Sequence, residues 1–161
     1  MKLVKNIQKI AKDTLINEAR ALEQLQAYID DEFEACVQAI YQGKGRVVVT
    51  GIGKSAIVAN KIVATLNSTG TPALFMHAAD AIHGDLGMVQ KDDIVICLSK
   101  SGNTPEIKVL IPLLKRTGSK LVALVSNTDS YLAQQSDYVL NATIDEEACP
   151  NNLAPTTTTT A

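Results

Sequence analysis

The stretch Arg46-Val47-Val48-Val49-Thr50-Gly51-Ile52-Gly53-Lys54-Ser55 decides the fold. Its first half is a short β-branched run of the kind that forms a strand buried on both faces of a parallel sheet. Its second half is a glycine-rich turn that leads into a helix predicted from about Ser55 to Ser68. The same strand-then-helix unit recurs down the chain. Strands are predicted at Ala73 to Met76, Ile94 to Leu98, Leu121 to Val125 and, at an edge, Tyr138 to Asn141. Helices are predicted from Pro105 to about Thr117 and from Ser130 to Gln135, and Pro105 sits in a first turn where its missing N–H costs nothing. Strands alternating with helices of this length predict an α/β fold, a three-layer αβα sandwich around a mostly parallel five-stranded sheet.

Upstream, residues 3 to about 42 read as helix, with a break near Asp30-Asp31 and an acidic cap on the second segment. Leu15, Ala19, Leu22, Ile29, Phe33, Val37 and Ile40 form a stripe at helical spacing, predicted to pack on the sheet or on a partner chain. The expected organisation is therefore N-terminal helices over residues 1–42 and a ligand-binding domain over residues 43–161. The run Thr156 to Thr160 opens a further helix just before the last residue, Ala161, so C-terminal helices are expected beyond it.

Composition narrows the function classes. The 161 residues are 46% hydrophobic and 20% charged, which is the make-up of a folded globule. Fifteen Lys and Arg against 17 Asp and Glu give a net charge of -2, so there is no general attraction to nucleic acid or to an anionic membrane. Cys36, Cys97 and Cys149 are scattered without a CxxC pair, and the start MKLVKNIQKIAKDTL has charges inside its apolar run. Reduced thiols and the lack of a signal or membrane span predict a cytoplasmic protein.

In parallel sheets ligands bind beyond the carboxyl ends of the strands, so the residues that follow strands carry the chemistry. Gly51-Ile52-Gly53-Lys54-Ser55 is neither a dinucleotide fingerprint, which needs glycine at position 56 (here Ala56), nor a Walker A loop, which needs glycine at position 48 (here Val48). It remains an anion- or sugar-binding turn, or else a plain tight turn with Lys54 in solvent. Ser99-Lys100-Ser101-Gly102-Asn103-Thr104 presents three hydroxyls and a flexible glycine before a helix N-terminus, a set that suits a phosphate monoester; its bland alternative is a Ser/Thr-capped turn. His83 lies in the loop Ala78 to Met88 with Asp85 nearby, and His77 competes with it as the proton-exchanging imidazole. Glu106, in a first helical turn, is either a helix-favouring acid or a site carboxylate, and Glu146 and Glu147 face the same choice. Cys149 has no sequence neighbour that would lower its thiol pKa. No GxSxG hydrolase elbow and no structural-zinc spacing is present.

Together GIGKSA, STGTP, AIHGDLGM, SKSGNTPE and EACPNNLAPTTTTTA resemble the sugar isomerase (SIS) domain family, and within it the D-arabinose 5-phosphate isomerases that open the pathway to Kdo. SxSGxT marks only the superfamily, whereas HGDLGM with EACPxxLAPT is narrower. The resemblance implies interconversion of D-ribulose 5-phosphate and D-arabinose 5-phosphate without redox cofactor or required metal, in a homo-tetramer that places a histidine from a neighbouring subunit near each pocket. It implies phosphate binding by Ser99, Ser101 and Thr104, with Gly53, Ser55, Gly102 and Asn103 around the substrate. Lys54, His83, Glu106 and Glu147 match its catalytic candidates, with Glu147 or Glu106 as carbon base. Two departures stand out: Ala56-Ile57 replaces a usual GH pair, and the family's further histidine, in an SHPxG segment, would lie past Ala161. A non-catalytic phosphosugar sensor and an isomerase for a hexulose 6-phosphate are the competing readings.

Overall fold

A computed structural model describes residues 2–149 and 151–161; Pro150 of the EACP segment lies outside the described residues. Helix α1 (Lys2–Leu25) passes through a 3-10 turn (Gln26–Tyr28) to α2 (Asp31–Gln42). Asp30 caps α2 as its position predicts, its Oδ1 accepting the N–H groups of Glu32 and Phe33 at 3.1 and 3.0 Å. There follow β1 (Val47–Gly51), α3 (Lys54–Ser68), β2 (Ala73–His77), α4 (Ala78–Ile82), a 3-10 turn (Asp85–Met88) and β3 (Ile94–Leu98). The chain continues through α5 (Pro105–Thr117), β4 (Lys120–Val125), α6 (Tyr131–Gln135), β5 (Tyr138–Asn141) and α7 (Thr157–Thr160).

The five strands pair in parallel in the order β2-β1-β3-β4-β5. Alternation within the β-branched runs builds two cores at once. Val48, Val95 and Ala123 face Ile107, Leu110, Ile111 and Leu132 of α5 and α6. Val47, Val49, Ile96 and Val122 face Cys36 of α2 and Ala59 of α3. Helices thus cover both faces, giving the αβα sandwich. Burial pushes the Cys97 thiol up to about 12 and also raises that of Cys36.

At the amino ends of the strands, Asp93 is 2% exposed and forms a 2.7 Å pair with Arg46. Its carboxylate also accepts the N–H of Arg46 at 2.8 Å and of Gln90 at 2.9 Å, joining the starts of β1 and β3. Burial alone would raise its pKa; the Arg46 side chain and these N–H donors bring it below the ordinary value.

The N-terminal stripe does not pack on the sheet as a whole. Ile40 joins the α2–α3 core, but Leu15, Leu22, Ile29 and Val37 are 45–68% exposed. The reason is geometric: α1 runs beside α7 rather than across the sheet, and α2 meets the β5 edge, where Glu32 Oε1 accepts the Val139 N–H at 2.7 Å.

Candidate functional site

The strand order reverses between β1 and β3, the switch point at which open α/β sheets leave a crevice. A cavity of about 480 Å³ opens there, walled by Lys54 and Ser55 after β1, Ser99 and Lys100 after β3, Ser126 after β4, and Thr158 and Thr160 of α7. Apolar side chains, among them Ile52, Val58 and Leu124, complete it.

Gly53 holds φ at +59°, a left-handed conformation that costs other residues free energy, and this turn starts α3 at Lys54. A cation in the first turn opposes the helix dipole, and no acidic side chain occupies that turn. Lys54 is therefore electrostatically misplaced for helix stability, which favours the ligand-binding reading of the turn over the structural one.

The β3–α5 loop is tightly built. Gly102, at φ +61°, is buried against α6: a Cβ there would meet Ser130 Oγ at 2.0 Å. Its N–H turns inward to Ser99 Oγ at 3.1 Å and is spent there rather than offered to a ligand. Ser101 Oγ accepts the Asn103 N–H at 3.3 Å, and Asn103 Oδ1 accepts that of Tyr131 at 3.2 Å. Thr104 precedes α5 but makes no capping hydrogen bond, and its buried Oγ1 has no partner among the described residues. The capped-turn reading fails at Thr104, leaving an unsatisfied hydroxyl of a kind that native proteins seldom keep without a role.

The segment from Glu147 to Thr158 folds back on itself. Glu147 N–H reaches Asn152 Oδ1 at 2.8 Å, and Ala148 N–H reaches Thr156 Oγ1 and Thr157 Oγ1, each at 2.9 Å. The Glu147 carboxylate, 2% exposed, accepts Lys100 Nζ at 2.7 Å, the N–H groups of Thr156 and Thr158 at 2.8 and 3.1 Å, and both threonine hydroxyls. Burial opposes its charge, but hydrogen bonds from the Lys100 and Thr158 side chains and from the two N–H groups hold its pKa down to about 2. The expectation that Glu106 is the carboxylate with the rival structural duty is thereby reversed. Glu147 satisfies the start of α7, while the Glu106 side chain, in the first turn of α5, has no hydrogen-bond or ion-pair partner among the described residues.

Of the predicted site residues, Lys54, Ser55 and Ser99 converge on the cavity, with Glu147 one contact behind it. Gly53, Ser101, Gly102, Asn103, Thr104 and Glu106 shape or flank the loops without lining it. His83 lies apart: it is exposed at the end of α4, where its N–H bonds Asp80 O at 2.9 Å. His77 closes β2 with Nδ1 3.7 Å from Asp80 Oδ2. Cys149 needs correction: the backbone N–H groups of Ala154, Leu153 and Asn151 lower its thiol pKa, because the fold-back loop brings them to it. Sequence reading passed over Lys100, Ser126 and Thr158. Lys100 carried a signal, since it follows a strand inside a loop already singled out; the threonines read only as a helix start.

A parallel sheet with a switch-point cavity of hydroxyls and ammonium groups defines the class of small phosphorylated-ligand-binding α/β domains. The chain belongs to the SIS domain family, whose pattern it matches over residues 39–161. It is 50% identical over 150 residues to the arabinose 5-phosphate isomerase KdsD of Pseudomonas aeruginosa, covering 93% of this chain and 46% of that protein. It is 46% identical over 156 residues to KdsD of Yersinia pestis, covering 97% and 48%. The chain thus spans about half the length of these relatives. Among solved structures, a protein of E. coli CFT073 in complex with arabinose 5-phosphate superposes with a TM-score of 0.89 at 38% identity, covering 97% of this chain and 83% of that one. The NanR protein of Vibrio vulnificus, complexed with ManNAc-6P, shares the fold at 20% identity and a TM-score of 0.79, covering 98% and 59%. No helix among the described residues is long and apolar enough to cross a membrane.

Proposed function

We propose that the chain is the isomerase domain of a cytoplasmic aldose–ketose isomerase that interconverts D-ribulose 5-phosphate and D-arabinose 5-phosphate through an enediol. The observation that carries this reading is the switch-point cavity, in which Lys54, Ser55 and Ser99 meet. The identity to arabinose 5-phosphate isomerases across nearly the whole chain supports the choice of sugar.

The reaction moves a proton between C1 and C2 and another between the two oxygens. Ser99, Ser101 and Thr104 hold the phosphate, and that remote grip orients the reacting carbons. Lys54 stabilises negative charge as it develops on oxygen. Glu106 is the carbon base: its carboxylate is unengaged, whereas that of Glu147 is saturated and held near 2, too weak a base for the task. His83 exchanges the oxygen-bound proton. Its exposure, and its distance from its own chain's cavity, support delivery into a neighbouring chain's cavity within a homo-tetramer. The exposed side chains Leu15, Leu22 and Ile29 supply apolar surface for that assembly.

The dispersal of His83 and Glu106 also favours one rival, a sensor that binds phosphosugar without turning it over. Incubating the intact protein with a panel of pentose and hexose phosphates separates the readings. Aldose 5-phosphate formed from ribulose 5-phosphate supports the isomerase; binding with no product from any sugar overturns it.

A further inference from the structure

Lys100 is the cavity residue to which neither the motifs nor the resemblance assigns a duty. It directly follows Ser99 at the end of β3 and lines the cavity with Lys54 and Thr158. Its ammonium donates to Glu147 Oε1 at 2.7 Å. An ammonium has three N–H donors, and no second acceptor for them occurs among the described residues. The side chain is 53% exposed while that of its partner is 2% exposed, so the pair bridges the cavity wall and the interior. On the Glu147 side every acceptor position is used: five donors share one carboxylate, which has about four lone-pair sites. A group so saturated is anchored and cannot swing to a carbon proton. What it does do is fix the place of the one mobile donor among its partners, the Lys100 head.

We propose that Lys100 is a substrate-binding residue that donates hydrogen bonds to oxygens of the bound sugar phosphate, and that Glu147 is the positioning residue that aims it. The assignment rests on the reading of the cavity as the sugar-phosphate site. Two ammonium groups against one carboxylate leave the cavity with one net positive charge, matched to an anionic ligand. Holding one ammonium on a buried carboxylate also removes the entropy loss of fixing a flexible lysine when the ligand arrives.

The test is kinetic and uses the intact protein with K100M, K100R, E147Q and K100M/E147Q. Loss of a charge-assisted contact made equally in ground and transition states raises KM about 10- to 100-fold in K100M and leaves kcat within about 3-fold. K100R recovers most of that loss. E147Q moves KM in the same direction, and the double variant is no worse than K100M, because both residues act through one contact. K100M leaves the backbone contacts of Glu147 in place, so it decides the question even where E147Q does not fold. An unchanged KM in K100M overturns the proposal, as does an E147Q enzyme that binds normally but has lost about 1000-fold in kcat, the signature of a base. If the wild-type protein binds arabinose 5-phosphate without turnover, the isomerase reading fails; calorimetric Kd values for the same variants then still decide the role of Lys100, with an unchanged Kd in K100M overturning it.

Discussion

Lys100 Nζ and Glu147 Oε1 stand 2.7 Å apart, and this contact ties the loop after β3 to the segment that closes over the cavity. Both threonines that complete the Glu147 shell belong to or adjoin α7, so one carboxylate organises three parts of the site. Its charge state should therefore be visible in the protein's response to acid. The folded pKa is depressed from 4.5 to about 2. A depressed carboxylate contributes stability that is complete above the unfolded value and is lost as pH falls through the folded one. Denaturation midpoints should drop between pH 4.5 and pH 2 in the wild type, and E147Q should flatten that part of the profile. An equal acid response in both proteins would show that the hydrogen-bond shell does not hold the charge.

Lys54 gives a prediction in which stability and activity part. Its ammonium opposes the dipole at the start of α3, so K54M should leave the fold unchanged or stabilise it by about 0.3–1 kcal/mol. Removing a group that stabilises transition-state charge should lower kcat by about 100-fold or more. Thermal melts and steady-state rates on the same preparation check both halves, and a destabilised but active K54M would return the residue to a structural role.

Thr104 separates a ligand contact from a cap. Because its Oγ1 makes no hydrogen bond among the described residues, T104V should cost less than about 0.5 kcal/mol, well below the usual penalty for a lost cap. Affinity for the phosphorylated sugar should fall about 10-fold. Urea denaturation and calorimetric titration read the two quantities.

Asp93 is the converse case, a residue far from the cavity whose loss should be felt only in stability. D93A strands the Arg46 guanidinium and frees the N–H groups of Arg46 and Gln90, at a cost of about 2–4 kcal/mol. At a temperature where the variant is still folded, KM should be unchanged.

Much of the fold was legible because each strand is local and strongly patterned. Val47-Val48-Val49 could serve only a sheet buried on both sides, and the observed Tyr138–Asn141 edge strand was bounded correctly by its turn residues. The exposed stripe of α1 was misjudged in part, since helical spacing shows that a face is apolar but not what covers it. At the site, loops after strands identified Ser99, Ser55 and Lys54 because their position follows from the topology alone. The Glu147 shell was hidden. It depends on a fold-back in which Asn152 takes φ +50° and brings Thr156 and Thr158 onto a residue some ten positions earlier, a tertiary contact with no periodic signature. The lowered Cys149 thiol was missed for the same reason.

Isomerisation is tested most directly by one proton NMR experiment in D2O with D-ribulose 5-phosphate and the intact protein. Proton transfer through an enediol predicts the growth of D-arabinose 5-phosphate resonances, with deuterium entering at C2 from solvent. Binding of the sugar phosphate with no aldose product after prolonged incubation would contradict it.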